Sequence, residues 1–496
     1  MIKKYITLSL IALFTASCSL VDVLDKTPAY DADLDGAITN QKTVELALNG
    51  IYSFLPGAGF NVLFPTTSGS FQGGTLNRQD SITSGNSIYM SERYCPTLSY
   101  SSNFTDDEWN SDYKIVKNAN FLLEACGKIA DKEFTGNRKN EILGEIYFLR
   151  AFAYSRLIVR YAEYWDLNSR FGLILRSELP EIGNAQKGRS TVQESYDAIF
   201  ADLNKAIELA PKRAKSSQAS FQAAKALKAR LLLYSQQYAD AAKLAEELIQ
   251  NNEIQLEATY DNVFAKHSST PEILFARVFM SDASSTDTRI KAFGTKNVGG
   301  AGGYWCPTKE FVTLLGNDPR ESAIIAPLDS IVYSGKKQYN CKTVKKYLTD
   351  KNDMPVMYLR TAEVYLILAE ARYRMGASIA QAFEPIAKLR MRAGAEVKTP
   401  ATMEELEDAI YNEWVIEMSF ENWHEFFVAI RFSNPEQLEF DRLIAMNKAL
   451  REALEKEFAV SNEKGQDYLK RIRDRRIDKI PNAETNSNAV EQNPGY

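Results

Sequence analysis

Apolar residues recur at three- and four-residue intervals over most of this chain, and that period predicts helices. Val44, Leu48 and Ile51 share a face over residues 41–54. Trp109, Tyr113, Val116, Asn120 and Leu123 line one face of 105–129, where Thr105 can cap the helix and Asp106, Asp107 and Glu108 suit its positive end. A long helix follows over 138–163, with Ile142, Ile146, Leu149, Ala153 and Leu157 on its apolar stripe. Tyr196, Ile199, Leu203, Ala206 and Ile207 mark another over 192–210, which Pro211 stops. Segments 221–235 and 238–250 form a helix pair. After a long gap the period returns at 360–375, 379–393, 403–421 and 439–458.

The pattern between these segments is different. Residues 55–104 and 252–355 are rich in Gly, Ser, Thr, Asn and aromatics and carry little helical period. Loops of that length inside a compact protein are functional or disordered, and the aromatic content argues against disorder. The helices themselves resemble tetratricopeptide repeats. Ala223 to Tyr234 followed by Tyr238-Ala239-Asp240-Ala241-Ala242 reads as one complete repeat, and Asp197 to Pro211 reads as the second helix of another. Small alanines let two helices approach closely, and each pair needs the next to cover its apolar face. The expected fold is mainly α: about four helical pairs (41–54 with 105–129, 138–163 with 192–210, 221–235 with 238–250, 360–375 with 379–393). Two long irregular insertions then form a ligand-binding lobe.

The first residues change the compartment. Lys3 and Lys4 precede an apolar run from Tyr5 to Ala16, then Ser17 and Cys18. This is the pattern of a secretory signal over 1–17, and the run is far short of the ~20 residues that span a bilayer. Phe14-Thr15-Ala16-Ser17-Cys18 reads as a loose lipobox, in which the Cys18 thiol would take a diacylglycerol. The mature chain from residue 18 is then expected to be one domain, with repeats within 41–54, 105–250 and 356–460.

Composition narrows the chemistry. The chain has 496 residues, 45% hydrophobic and 25% charged, with a net charge of −5. Loss of Lys3 and Lys4 with the signal makes the mature chain more acidic still, which disfavours nucleic acid. The one basic cluster, Lys470 to Arg476, reads as a solvated helix end or a set of local salt bridges. With only two histidines, His267 and His424, a histidine metal site or a serine triad has almost nothing to draw on. Besides Cys18 there are four cysteines, which allow three pairings. Cys126 lies on an apolar helix face, whereas Cys95 and Cys306 precede prolines in the insertions, where either a bridge or free thiols fit.

Three sets of residues could carry function. Glu363 and Glu370 share a helix face, as a glycosidase pair might require, but Arg360 one turn earlier and the apolar surroundings favour an ion-pair network. Asp31, Asp33, Asp35 and Gly36 match the first half of a calcium loop, but Lys42 stands where a bidentate acid should be. The glycines 299–303 lack the lysine of a phosphate loop and lead into Tyr304 and Trp305. Flat rings stack on the C–H faces of sugars, so this arrangement suits a ligand rim, although Trp305 could equally anchor the loop in the core. Arg78, Asn86, Tyr89 and Tyr94 are the candidates from the first insertion. No catalytic residue, metal ligand or cofactor is expected.

The ordered set of motifs resembles the SusD/RagB family of outer-membrane lipoproteins. Leu24 to Pro28 is similar to the family's mature start and Ala47 to Tyr52 to its first helix. Phe148 to Tyr154 resembles its "FLRAYAY" helix, Tyr358 to Ala371 its best-known internal signature, and Leu389 to Gly394 the motif that follows. The tail, Lys479 to Glu484 and Gln492 to Tyr496, resembles the ending "PIP..E" and "QNPGY". One segment departs. After Glu413 to Glu421 the family has Gly-x-Arg-x-x-Asp, and here those places hold Asn422, His424 and Phe427, which implies an aromatic turn in place of a salt-bridged one. The resemblance implies a non-catalytic surface lipoprotein of the outer membrane. It would capture a glycan, or in some members a peptide, and act as a lid on a SusC-like TonB-dependent transporter.

Overall fold

Short polar caps set where the helices begin. In the computed structural model, which describes residues 34–55, 74–78, 103–179, 186–212, 215–278, 305–333, 336–346, 355–433, 476–488 and 490–496, Asn40 caps helix α1 (Gln41–Ser53) through a reciprocal box with Thr43. Strand β1 is Leu76–Arg78, and α2 is Asn103–Lys128. Thr105 therefore sits inside the first turn of α2 rather than at its cap. Helix α3 is Arg138–Tyr161, and α4 (Val192–Leu209) starts at a capping box between Thr191 and Glu194. Ser220 caps α5 (Phe221–Tyr234), which is followed by α6 (Tyr238–Gln250) and the short α7 (Tyr260–Ala265). The chain continues through β2 (Ile273–Arg277), β3 (Trp305–Pro307), α8 (Lys309–Leu315), β4 (Ile325–Tyr333), β5 (Lys336–Val344) and β6 (Val356–Arg360). Helices α9 (Thr361–Arg374), α10 (Ile379–Ala393), α11 (Met403–Glu417), α12 (His424–Arg431) and α13 (Asn482–Ser487) complete it.

Successive helices from α2 to α6 pack on one another, and α6 packs on α9, so the array is continuous in space across the second insertion. The four expected pairs are all in contact, although α2 lies more extensively against α3 than against α1. Alanines permit the close spacing: Ala223, Ala224, Ala226 and Ala229 on α5 and Ala241, Ala242 and Ala245 on α6 are all buried in this packing. Gly144 on α3 is required for the same reason. A Cβ there would lie 2.5 Å from the Ala210 Cα at the end of α4.

The second insertion is more regular than its composition implies. It holds α7, α8 and a hairpin of β4 with β5, while β2 pairs antiparallel with β6 through an irregular register from Ile273↔Arg360 to Arg277↔Val356. Phe275 on β2 and Tyr358 on β6 pack against Phe148 and Phe152 of α3, with ring centroids 4.8–5.6 Å apart. Alternating polar and apolar residues in 325–344 are spread too thinly by lysines to stand out against the helical signal.

The expected helix over 403–421 ends four residues early. Phe420, Asn422 and Trp423 take left-handed φ values of +63°, +45° and +66°, a conformation that costs roughly 1–3 kcal/mol at each non-glycine residue. Buried charges hold this turn. The Lys346 ammonium donates to the Ser419 carbonyl at 2.8 Å, and the Arg360 guanidinium donates to the Glu417 carbonyl at 2.8 Å. These cations occupy the negative end of α11.

The same cations belong to a larger network. Arg360 bonds Glu272 at 2.6 Å, Glu417 at 2.9 Å and Glu421 at 3.0 Å. Arg320 bonds Glu413 at 2.5 Å, Glu417 at 2.9 Å and Asp318 at 2.8 Å. Arg392 joins Glu272 and Glu417, Lys346 joins Glu421, and Arg390 joins Glu413. Burial alone would raise the Glu417 carboxyl, but Arg392, Arg360 and Arg320 outweigh it and hold the group far below the usual carboxylate range. Glu417→Gln should therefore destabilise the protein by about 3–5 kcal/mol, because it leaves buried cations uncompensated. Urea denaturation at neutral pH checks this. A loss below about 1 kcal/mol, the scale of an exposed pair, would mean the three arginines are satisfied without it.

Candidate functional site

The two insertions meet in a two-stranded antiparallel ladder. β1 comes from the first and β3 from the second, with Leu76 opposite Pro307, Asn77 opposite Cys306 and Arg78 opposite Trp305. Two of the candidate ligand residues, Arg78 and Trp305, 227 positions apart in the chain, are thus direct backbone partners. Tyr304, Asn86, Tyr89, Tyr94 and Cys18 lie outside the described residues. So do Cys95, the acids Asp31 and Asp33 and the helix expected over 439–458.

The ladder is seated on the frame from below. The Thr308 hydroxyl caps α8, accepting from the Phe311 N–H at 3.2 Å, and donates to the Gly74 carbonyl at 2.7 Å. Phe311 packs edge-on against Phe420 in the left-handed turn, at 5.2 Å between centroids. β5 of the hairpin runs beside β3. Pairing between remote loop segments has no local sequence period, so reasoning from the sequence places both residues in the lobe without pairing them.

Behind the turn lies a pocket of about 60 Å³ between α2, α3, α5 and α12. Its walls carry matched charges: Glu108 and Asp112 are one turn apart on α2, and Arg156 and Arg160 are one turn apart on α3. Arg156 bonds both Asp112 oxygens, at 3.0 and 3.1 Å. Arg160 bonds Glu108, and also Asp478 at 2.5 Å, with its guanidinium 4.5 Å above the Trp423 ring. The i,i+4 spacing of acids on one helix and bases on its neighbour is the signal that could have found this ladder. His424, 2% exposed, lines the same cavity, and neither ring nitrogen has a hydrogen-bond partner. Burial pushes its imidazole well below the usual histidine range, and Arg230, Arg431, Arg360 and Lys346 push it further.

The other candidates resolve as structure. Glu363 bonds Arg230 of α5, at 2.6 Å to Nη2, rather than the neighbouring Arg360. Glu370 holds Arg431 through two bonds of 2.8 Å. Both acids lock α9 to other helices. Cys126 is fully buried, with its thiol pushed up to about 11 by burial. Arg476, the described end of the basic cluster, is buried rather than solvated, because the tail docks on the end of α3. There Asn493 donates to the Tyr161 carbonyl at 3.0 Å, and Arg189 donates to Asn493 at 2.7 Å. Among the described residues no group of three or more His, Cys, Asp or Glu could hold a metal ion.

A family model described as starch-binding associating with outer membrane matches residues 29–233, and the SusD family model matches residues 279–496. The chain belongs to the SusD family. A SusD-like protein of Formosa agariphila is 24% identical over 476 residues, covering 85% of this chain and 90% of that one. The crystal structure of a SusD superfamily protein from Bacteroides vulgatus superposes with a TM-score of 0.72 at 18% identity, covering 92% of this chain and 99% of that one. A laminarin-binding SusD-like protein superposes with a TM-score of 0.67 at 19% identity, covering 92% of this chain and all of that one. These neighbours share the helical-array fold. Among the described residues no helix is long and apolar enough to cross a membrane.

The two titrating groups on the cavity act in opposite directions. The unfolded chain protonates His424 as pH falls through about 6.5, and the folded chain resists, so stability is lost below that pH at up to about 1.4 kcal/mol per unit. Asp112 is raised to about 6, since burial outweighs Arg156, so between about 6 and 4 it takes up its proton in the folded state first and adds stability. A comparison of wild type with His424→Gln cancels the Asp112 contribution. Denaturation from pH 7 to pH 5 should show wild type losing stability more steeply than the variant. Parallel curves would mean that His424 charges freely in the folded protein.

Proposed function

We propose that this protein is a cell-surface nutrient-binding lipoprotein that captures a glycan and delivers it to a SusC-like TonB-dependent transporter. The observation that carries the reading is the ladder between the two insertions, in which Arg78 and Trp305 are backbone partners. An arginine and a tryptophan at paired backbone positions are residue types suited to a sugar, the ring to its C–H face and the cation to its hydroxyls. Membership of a family described as starch-binding supports glycan as the ligand class, as does the laminarin-binding neighbour. Commitment of Glu363 and Glu370 to Arg230 and Arg431 supports capture rather than hydrolysis.

The ligand contacts proposed are Trp305 and Tyr304 from the second insertion and Arg78, Asn86, Tyr89 and Tyr94 from the first. Calorimetric titration of polysaccharides, beginning with laminarin, and of peptides identifies the class. Trp305→Ala should then weaken binding by about 2 kcal/mol or more while the melting temperature changes little. Intact affinity with a stability loss of about 3–5 kcal/mol, the signature of a core aromatic, would move the site to the four residues of the first insertion. Selective binding of peptides would keep the site and replace the ligand class.

Anchoring is proposed through Cys18. Each buried methylene contributes roughly 0.8 kcal/mol, so stable attachment needs more than one acyl chain. Cys18→Ala should move the protein from the membrane fraction to the soluble fraction. Retention of the variant on membranes that lack the transporter would refute the lipid anchor.

A further inference from the structure

Strands of three residues cannot hold themselves in place. An isolated two-stranded ladder is marginal in water even at greater length, so the position of β1 and β3 must be imposed by their surroundings. Thr75, which immediately precedes β1, is fully buried, and its hydroxyl donates to Glu425 Oε1 at 3.1 Å. Glu425 lies in the first turn of α12 and is also fully buried. The same oxygen accepts the Phe420 N–H at 2.5 Å, so it holds the left-handed turn as well. On its other side the Thr75 carbonyl accepts the Thr308 N–H at 2.9 Å, and the Thr308 hydroxyl reaches back to Gly74. A continuous line of hydrogen bonds thus runs from α12 through the first insertion into the second. Bonds to a buried carboxylate are shorter and stronger than neutral ones.

We propose that Glu425 is a positioning residue for the ligand lobe. Through Thr75 it fixes where β1 and β3, and with them Arg78 and Trp305, sit on the helical frame. The proposal rests on the reading that the two insertions carry the ligand. Glu425 itself is buried beneath the ladder and reaches β1 through Thr75.

Hydrogen–deuterium exchange of the whole mature protein tests it without a ligand. Thr75→Val removes the hydroxyl at nearly constant shape and leaves the bond between Glu425 and the Phe420 N–H in place. Peptides spanning 74–78 and 305–308 should exchange about tenfold faster or more, because local opening is governed by the bonds that hold that segment. Exchange in α3 and α9 should be unchanged, and Thr75→Ser should restore protection to the ladder. Unaltered exchange at the ladder in Thr75→Val overturns the proposal. So does acceleration spread evenly over the helices, or a failure of serine to rescue. The underlying reading fails separately: glycan affinity unchanged in both Trp305→Ala and Arg78→Ala would take the site off the ladder whatever Thr75→Val does to exchange.

Discussion

Four buried cations and the partly exposed Arg390 meet five buried carboxylates at the C-terminal end of α11, and the rest of the architecture is arranged around keeping them paired. Arg320 and Lys346 come from the second insertion, Arg360 from the end of β6, and Arg390 and Arg392 from α10. Their partners are Glu272 before β2, Asp318 after α8, and Glu413, Glu417 and Glu421 on and after α11. A charge in a dry interior is tolerable only with excellent geometry and complete hydrogen bonding. Each of these segments therefore has one acceptable position relative to the others. Apolar contacts would allow sliding, whereas this network fixes the insertion to the array.

The network also explains why the chain can hold an unfavourable turn after α11. Three non-glycine residues in left-handed conformations would reverse to a helix if left alone. Cations on the Glu417 and Ser419 carbonyls and the Glu425 carboxylate on the Phe420 N–H supply what a regular helix end would otherwise lack. The turn in turn presents Phe420 to Phe311 and Glu425 to Thr75. Strain in the frame is thereby linked to the seat of the two insertions, by contacts that can each be named.

The helical part of this was legible because its period is local. Val44, Leu48 and Ile51 lie on the buried face of α1, and the alanines of 223–245 line the contact between α5 and α6. The insertions were legible as places but not as structure. Strands of three to nine residues that pair across long separations leave no period in the sequence, and Arg78 does not announce Trp305 as its partner. The ion network was half visible. The segment from Arg360 to Glu370 reads as a network by composition, but its partners, Arg230 and Arg431, are set by the stacking of the helices and not by the spacing within α9. Capping boxes start α4 at Thr191 and α10 at Ser378, where the sequence reading named no cap, while the start of α2 at Asn103 ran past the cap that Thr105 offered.

The departure at Asn422, His424 and Phe427 follows from the same accounting of charge. In the family pattern that the chain resembles, an arginine and an aspartate occupy the places of His424 and Phe427 and compensate each other. Here position 424 is surrounded by Arg230, Arg431, Arg360 and Lys346, which all disfavour a further positive charge. An arginine without its aspartate would be a buried cation with no partner, and an aspartate beside Tyr164 and Tyr234, against which Phe427 packs, would be an unpaired anion in an aromatic cluster. The two changes are tolerable together and not singly. A neutral imidazole tilted against Trp414, with centroids 5.6 Å apart, and a phenyl ring among tyrosines preserve the zero net charge that an ion pair provides. Asn422, at the place of the glycine, is among the residues that best accept a left-handed backbone, and its amide bonds the Met357 carbonyl of β6. The chemistry of the turn is aromatic where the family pattern is ionic, and the neighbouring carboxylate, Glu425, bonds both the turn and Thr75 of the first insertion.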